Sequence, residues 1–181
     1  NINLANQNNY TLSGSCSENG RVVTITLTDT SFNTVSNTPT CSGGTWTINA
    51  GDNFSASALL DGNIVITADH TDAIGNNAAQ DSTSVLKDTV APTVAITSAA
   101  NINLSNHTSY GLNGTCSENG EDVIVSVGGI SPGVAPVCTG GVWSVSGLDV
   151  SSLGDGNVTI TANHTDIVGN PATQASTNVT K

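Results

Sequence analysis

Residues 10–27 read YTLSGSCSENGRVVTITL, and residues 110–127 read YGLNGTCSENGEDVIVSV. In the first stretch, apolar or small side chains alternate with polar ones from Tyr10 to Cys16 and again from Val23 to Leu27. A period of two indicates β-strands with one buried face. The Glu18-Asn19-Gly20 segment between the two runs is a turn signal. Each copy of the stretch therefore predicts two short strands separated by a turn.

The similarity continues along the whole chain of 181 residues. The offset between the copies is 100 residues at the Cys-Ser-Glu-Asn-Gly segments (16–20 and 116–120) and 97 at the tryptophans (46 and 143). It is 94 at the Asp-x-x-Gly-Asn segments (72–76 and 166–170). Two short deletions thus separate two copies of one module, and a repeat of this length is a small domain rather than a solenoid unit. We predict domains at 1–87 and 94–181, joined by a linker at 88–93.

Alternation continues beyond these stretches, and no long helical stripe interrupts it. About seven short strands per module, with turns about every 8–12 residues, predict an all-β fold of two tandem immunoglobulin-like antiparallel β-sandwiches. Val94 and Ile96 begin the first strand of the second module. The first module has no counterpart, so we expect its first strand to be missing. Because residue 1 begins inside the repeat, we also expect the chain to be cut from a longer protein.

The composition excludes several classes of function. The chain carries 14 acidic and 3 basic residues, which give a formal net charge of -11. Binding to nucleic acid needs clustered Lys and Arg, so the sequence excludes that class. Binding to an anionic membrane surface is disfavoured for the same reason. No apolar run approaches the roughly 18 residues that cross a bilayer, which predicts no membrane insertion of this segment.

Each module contains two cysteines at matched positions. Cys16 and Cys41 correspond to Cys116 and Cys138, which indicates one disulfide per domain. Disulfides imply an oxidising, extracytoplasmic location. A zinc site is the weaker interpretation, because no further Cys or His lies at short ligand spacing. In the chain-entropy model, closing a loop of this size stabilises each module by about 3 kcal/mol.

Carboxylates from separate segments are predicted to meet at the junction between the domains. If the strand directions alternate through the second module, Glu118 and Asp166 lie at the linker end, beside Asp88. Crowded carboxylates repel one another, and a calcium ion with flexible, oxygen-only coordination would offset that repulsion. Glu18 and Asp72 are the equivalent residues of the first module, where we expect an absent or weaker site. The alternative is that the aspartates form Asx-type turns and Asp88 is a solvated linker residue.

The remaining polar residues favour structural roles. The alternation places His70 and His164 on the inward-facing side of their strands, just before a turn. The favoured interpretation is that each histidine closes the rim of its sandwich. Asp61 and Asp155 belong to Asp-Gly turns at the opposite end of each module. The few aromatic residues are expected in the two cores. No nucleophile, acid–base pair or phosphate loop is indicated, so we predict that the chain is not an enzyme.

Four segments together carry a family resemblance. They are Asp-Thr-Val-Ala-Pro-Thr (88–93), Gly-Gly-Thr-Trp (43–46), Leu-Asp-Gly-Asn (60–63) and Thr-Asp-Ala-Ile-Gly-Asn (71–76). The chain resembles the bacterial immunoglobulin-like (Big) extender repeats of large calcium-dependent surface adhesins of the RTX and Bap type. The resemblance implies a secreted, non-enzymatic extender at the bacterial cell surface, with roles in adhesion and biofilms and calcium at module junctions. Its partners would be neighbouring repeats of the same chain.

The cysteines depart from this family, which commonly has none, and from antibody domains. Cys41 lies just before the strand of Trp46, so the bridge should tie the second strand to a segment around the fourth. Two other functions remain open. One is a glycan- or protein-binding module that uses outer loops such as residues 128–133. The other is an accessory domain of a secreted enzyme.

Overall fold

The alternating segments of the sequence form antiparallel strands in both halves of the chain. The computed structural model describes residues 1–181. It divides into two compact units, Asn1–Thr89 (unit 1) and Val90–Lys181 (unit 2), and the division lies inside the predicted linker. Besides strands and turns there is one turn of 3-10 helix, Ala50–Asp52, and no helix has the length and hydropathy of a membrane span.

Unit 1 contains six strands in two sheets. They are β1 (Leu12–Ser15), β2 (Val23–Thr28), β3 (Thr34–Asn37), β4 (Thr45–Ile48), β5 (Gly62–His70) and β6 (Asp81–Lys87). β1 pairs with β4 alone, and the other sheet has the order β3-β2-β5-β6. All these pairs are antiparallel.

Unit 2 also contains six strands in two sheets. They are β7 (Val94–Ala99), β8 (Tyr110–Cys116), β9 (Val123–Val127), β10 (Val142–Leu148), β11 (Asn157–His164) and β12 (Ala175–Thr180). The sheets have the orders β10-β8-β7 and β12-β11-β9, again with antiparallel pairs.

The two units share five strands and differ in the sixth. β1, β2, β4, β5 and β6 correspond in sequence to β8, β9, β10, β11 and β12. Only unit 1 has β3, and only unit 2 has β7. Each unit thus has six strands where the alternation predicted about seven. In unit 2 the deletion leaves a tight turn at Gly128-Gly129, closed by the Ile130 N–H on the Val127 carbonyl, in place of β3.

Each pair of sheets encloses one hydrophobic core. Ile25, Ile48 and Ile64 are almost completely buried in unit 1, as are Val123 and Ile160 in unit 2. These side chains lie at the alternate positions that the sequence predicts, and each fully buried one contributes about 1.5–3 kcal/mol of hydrophobic free energy. The aromatic residues are also buried, with one exception: the prediction that all lie in the cores is wrong for Phe32, which is 86% exposed in the turn after β2.

Candidate functional site

Both predicted disulfides are present. Cys16 joins Cys41, and Cys116 joins Cys138, with sequence separations of 25 and 22 residues. Each bond connects the end of β1 or β8 to the segment just before β4 or β10, as predicted. No free cysteine remains. Each disulfide therefore joins two segments next to a pair of neighbouring strands, β1 and β4 in unit 1 and β8 and β10 in unit 2.

The Ser-Glu-Asn-Gly loop beside each disulfide is held by hydrogen bonds. The Gly44 N–H donates to Oδ1 of Asn19 at 3.0 Å. The N–H of Gly20 donates to the Cys41 carbonyl at 2.8 Å, and the φ of +82° at Gly20 favours glycine. In unit 2, the matching bonds join Gly141 N–H to Asn119 Oδ1 at 2.9 Å and Gly120 N–H to the Cys138 carbonyl at 2.9 Å.

A histidine fixes the same loop from the opposite sheet. In unit 2, the N–H of Glu118 donates to Nε2 of His164 at 3.2 Å, and Nδ1 of His164 lies 2.9 Å from the Asp122 carbonyl oxygen. The Asp122 carbonyl can only accept a hydrogen bond, so Nδ1 of His164 must carry a proton. The Glu118 N–H can only donate, so Nε2 must be unprotonated, and the two contacts together require the Nδ1–H tautomer. His70 makes the same two contacts, to Glu18 N–H and the Val22 carbonyl. Both histidines close the rim of a sandwich, in agreement with the sequence interpretation.

Asp166, predicted as a calcium ligand, organises its own turn. Its Oδ1 accepts hydrogen bonds from the N–H groups of Val168 at 3.0 Å and Asn170 at 2.8 Å. Its Oδ2 accepts the Asn170 side-chain amide at 2.7 Å. Asp72 accepts the same three hydrogen bonds from Ile74 and Asn76. These bonds lower the pKa of Asp72, and the bond from the Asn76 side-chain amide has the largest effect. The structure thus shows the Asx-turn alternative at both positions.

Asp29 repeats this arrangement, which is not among the predictions made from the sequence. Its carboxylate accepts the Ser31 N–H, the Asn33 N–H and the Asn33 side-chain amide, and also the Leu60 N–H at 2.9 Å. Hydrogen bonds from Leu60 and Asn33 lower the pKa of Asp29 to about 2. The signal was available, because Asp29, Asp72 and Asp166 all begin an Asp-x-x-x-Asn pattern. The pattern is therefore a turn-forming device, independent of the predicted junction.

The residues predicted to bind calcium do not form a metal shell within either unit. Nowhere in either unit do three or more His, Cys, Asp or Glu side chains lie close enough together to hold a metal ion. Glu18 is exposed, Glu118 is half-buried, and the N–H of Asp88 donates to the Ile2 carbonyl at 3.0 Å. The predicted set of Asp88, Glu118 and Asp166 combines residues of both units, and it stays a prediction.

An ion pair between a buried lysine and an exposed aspartate lies at the other end of unit 1. The Nζ of Lys87 donates to Oδ1 of Asp61 at 2.7 Å, and the N–H and hydroxyl of Thr89 donate to Oδ2. Partial burial raises the pKa of Asp61, but the bonds from Lys87 and Thr89 outweigh it, so that the net shift is downward. The sequence predicts a turn at Asp61 but not the pairing with Lys87. The β5–β6 register, which pairs Gly62 with Lys87, brings the two together.

Comparison with known proteins bears on the fold. No family model matches the chain, and no curated protein matches it. Among solved structures, the chain is similar to fibronectin(III)-like modules of CbhA from Clostridium thermocellum, with 16% identity and a TM-score of 0.54 over 99% of this chain and 87% of that one. This similarity agrees with two tandem immunoglobulin-like sandwiches, and it supports the fold alone.

Two adhesin structures are also similar. One is a tetra-tandem repeat in the extending region of a large adhesion protein, with 26% identity and a TM-score of 0.42 over 96% of this chain and 46% of that one. The other is from a 1.5-MDa bacterial ice-binding adhesin, with 20% identity and a TM-score of 0.45 over 99% of this chain and 59% of that one. The chain thus spans about half the length of each adhesin structure. At these TM-scores, they carry no argument about function.

Proposed function

We propose that the chain is a non-enzymatic, structural region of a bacterial cell-surface adhesin, in which tandem sandwich modules extend and space a longer protein. One observation carries this proposal. Both copies use their chemically reactive residues for the same framework: the cysteines form disulfides, and both nitrogens of each rim histidine contact backbone groups. The family resemblance supplies the adhesin context, and the disulfides favour an extracellular location.

Single-molecule stretching of the chain between its two ends tests this role. We expect two discrete unfolding steps, one per unit. Each step should lengthen after reduction, because the segment enclosed by each disulfide (Cys16–Cys41 or Cys116–Cys138) then joins the extended chain. A chain that extends without discrete resistance would contradict a mechanical role.

We further propose that calcium stiffens the junction between the modules, with Asp88, Glu118 and Asp166 as candidate ligands. The support comes from the family resemblance and from the excess of 14 acidic over 3 basic residues. Calcium would supply charge neutralisation and oxygen coordination. Because Asp166 already accepts three hydrogen bonds in its own turn, Asp88 and Glu118 are the more informative positions to change.

Calorimetric titration with calcium chloride, together with small-angle scattering with and without a chelator, tests this second part. We expect binding heat and a scattering profile that changes on chelation. The variant Asp88→Asn should lose both responses, and Asp155→Asn, in a turn at the opposite end of unit 2, should keep them. Absence of heat together with an unchanged profile removes calcium from the proposal and leaves the spacer role intact.

A binding module is the second candidate, and one observation favours it. Phe32 is 86% exposed and has a φ of +63°, so a large apolar side chain is presented on a constrained turn. Such a residue suits stacking against a sugar ring or packing into a protein partner. Screening the chain and the Phe32→Ser variant on a glycan array tests this candidate. A signal that depends on Phe32 would favour binding over spacing.

A further inference from the structure

The chain contains three Asn-Gly pairs, and two of them lie beside the disulfides. Asn19-Gly20 and Asn119-Gly120 occupy the same position in the two copies, whereas Asn113-Gly114 lies within β8. Asparagine is a chemically labile residue. A following glycine increases its reactivity, because no side chain shields the glycine nitrogen and the glycine backbone turns freely. That nitrogen can attack the asparagine side chain unless the fold prevents it.

The reaction of such a pair is deamidation. The nitrogen of Gly20 would form a bond to Cγ of Asn19, and the bond from Cγ to the side-chain nitrogen would break. The side-chain nitrogen leaves as ammonia and takes the proton of the Gly20 N–H. Water then opens the cyclic succinimide at either of its two carbonyl carbons and gives aspartate or isoaspartate. The reaction consumes water and releases ammonia, and it needs no oxidant or reductant.

In unit 1, both reacting groups are engaged in hydrogen bonds. The Gly20 N–H donates to the Cys41 carbonyl at 2.8 Å, and Oδ1 of Asn19 accepts the Gly44 N–H at 3.0 Å. Attack requires the Gly20 nitrogen to turn away from Cys41 and towards Cγ of Asn19. The folded loop therefore holds the pair in an unreactive arrangement, although both residues are exposed to water.

The disulfide makes this loop part of a small ring. The chain runs from Cys16 through residues 17–20, the Gly20 N–H bonds to Cys41, and the disulfide returns from Cys41 to Cys16. One hydrogen bond and one covalent bond thus close the ring. When the covalent bond is broken, the Cys41 carbonyl is less strictly held beside Gly20, and the loop opens more often.

Unit 2 has the same ring and also contains the third pair. The Gly120 N–H donates to the Cys138 carbonyl at 2.9 Å, and Oδ1 of Asn119 accepts the Gly141 N–H at 2.9 Å. Asn113-Gly114 is held differently, because Gly114 is buried in a strand that has partners on both sides. Reaction at Gly114 therefore requires separation of the sheet, whereas reaction at Gly120 requires only local opening of the loop.

We propose that Asn19 and Asn119 are deamidation sites that the neighbouring disulfides keep unreactive and that reduction makes reactive. The reductant is a thiol, which is oxidised to a disulfide while the two cysteines of the unit become thiols. Isoaspartate carries the backbone through the side-chain carbon, so the lengthened loop no longer places the Gly20 N–H on the Cys41 carbonyl. A unit that has once been reduced thus keeps a permanent chemical mark after its disulfide forms again. This inference is independent of the adhesin role.

The test compares the intact chain with a variant in which Cys16 and Cys41 are replaced by Ala. After incubation at neutral pH, peptide mass spectrometry measures the aspartate and isoaspartate formed at each pair. The intact chain should stay unmodified while the synthetic peptide SENGRV, which copies residues 17–22, reacts. In the variant, Asn19 should react about tenfold faster or more, because the open population of the loop rises as the free energy of opening falls. Asn119 keeps its disulfide and should not change.

The matched variant in unit 2 separates local opening from unfolding. With Cys116 and Cys138 replaced by Ala, Asn119 should react while Asn113 in the same unit stays intact. Equal rates at the two asparagines would mean that the whole unit unfolds, and the proposed role of the ring would be wrong. Hydrogen exchange at Ile64 and Ile160 shows whether each unit of a variant remains folded.

The intact chain gives the final test. It is reduced with dithiothreitol, incubated, and then reoxidised, and we expect isoaspartate at Asn19 and Asn119 but not at Asn113. Two results would overturn the proposal. One is reaction of the untreated chain at the rate of the peptide SENGRV, since the folded loop would then give no protection. The other is full protection in both disulfide-free variants, since the hydrogen bonds alone would then hold the loop.

Discussion

Strands β1 and β8 have nearly the same sequence pattern and different surroundings. In unit 2, β8 has a partner on each side, and Leu112 and Cys116 are buried. In unit 1, β1 has one partner, and Leu12 and Cys16 are half-buried. The same alternation thus yields a central strand in one copy and an edge strand in the other. Burial of a strand depends on its neighbours as much as on its own residues.

The two units also differ in their other sheets and in the contacts of their last lysine. Unit 1 extends the sheet of β2, β5 and β6 with β3. It also has an ion pair between the buried Lys87 and Asp61, whereas Lys181 of unit 2 donates to the backbone carbonyls of Ser151 and Leu153. These features do not add a partner to β1, which pairs with β4 alone. We therefore expect unit 1 to be the less stable unit, and the following experiments measure the difference in one intact chain.

The largest expected effect is loss of a disulfide. Replacing Cys16 and Cys41 by Ala should lower the free energy of unfolding of unit 1 by about 3 kcal/mol, and replacing Cys116 and Cys138 should cost unit 2 about the same, because the loops are similar in length. Urea titration followed by the indole signals of Trp46 and Trp143 reports each unit separately. Since we expect unit 1 to have the lower free energy of unfolding, it should unfold at a lower urea concentration than unit 2 under reducing conditions. Earlier loss of the Trp143 signal would reverse the proposed order of stability.

The next effect concerns the close approach of β7 to β8. A methyl group on Gly114 would lie 1.8 Å from the Ala95 carbonyl oxygen, a contact that no small shift relieves. Gly114→Ala should therefore destabilise unit 2 by roughly 1–3 kcal/mol.

Gly14→Ala is the matched variant in unit 1. The three heavy atoms nearest to the added methyl would all belong to the ring of Trp46, the first at 2.6 Å. This ring lines a cavity of about 250 Å³ that gives it room to shift, so Gly14→Ala should cost less stability than Gly114→Ala. Equal costs, measured by the same urea titration, would show that β7 is not what confines Gly114.

A smaller effect separates the two tryptophans. Trp143→Phe removes a donor from the Ala95 and Thr115 carbonyls, whereas Trp46→Phe removes an indole N–H without an acceptor. We expect Trp143→Phe to lower the free energy of unfolding of unit 2 by about 1 kcal/mol more than Trp46→Phe lowers that of unit 1, because about 1 kcal/mol is the usual net value of a hydrogen bond. Hydrogen exchange at Ile160 and Ile64 measures the stability of each unit without relying on the indoles. A larger loss in unit 1 would contradict the bonding described.

The smallest effect is the response to acid. The pKa values of Asp29, Asp61 and Asp72 in unit 1 are lowered, that of Asp29 to about 2, and Asp149 is lowered in unit 2. A lowered pKa stabilises the folded state above the unfolded value of about 3.9, and this stability is lost as the pH falls through the folded value. Between about pH 4 and pH 2, unit 1 should therefore lose more stability than unit 2.

The acid experiment has a matched variant. Asp29→Asn removes one titrating group from unit 1, so the two units should become more alike in their pH dependence, although unit 1 is weakened at every pH. The indole signals of Trp46 and Trp143, followed during an acid titration, give both curves. An unchanged difference between the units would show that Asp29 does not contribute to it.

Much of the architecture was predictable because it rests on short-range patterns. Alternation located the strands, and matched positions paired Cys16 with Cys41 and Cys116 with Cys138. The number of strands was predicted less accurately, at about seven per unit instead of six. Whether a segment such as β3 or β7 forms a strand depends on the length of the loop and on a neighbouring strand as well as on its own sequence. The turn at Asp29 was missed although its Asp-x-x-x-Asn spacing matches Asp72, because the loop around it differs between the copies.

The order of apolar and polar residues along the chain is enough to predict the sandwich class, the duplication and the disulfides, since strand faces and cysteine positions are properties of the chain itself. The neighbours of β1 and β8, the bonds of Trp143 to two carbonyls and the Lys87–Asp61 pair emerge only from the folded arrangement. Each depends on which distant segments lie side by side and in what register, and a single strand carries no record of a neighbour that is absent.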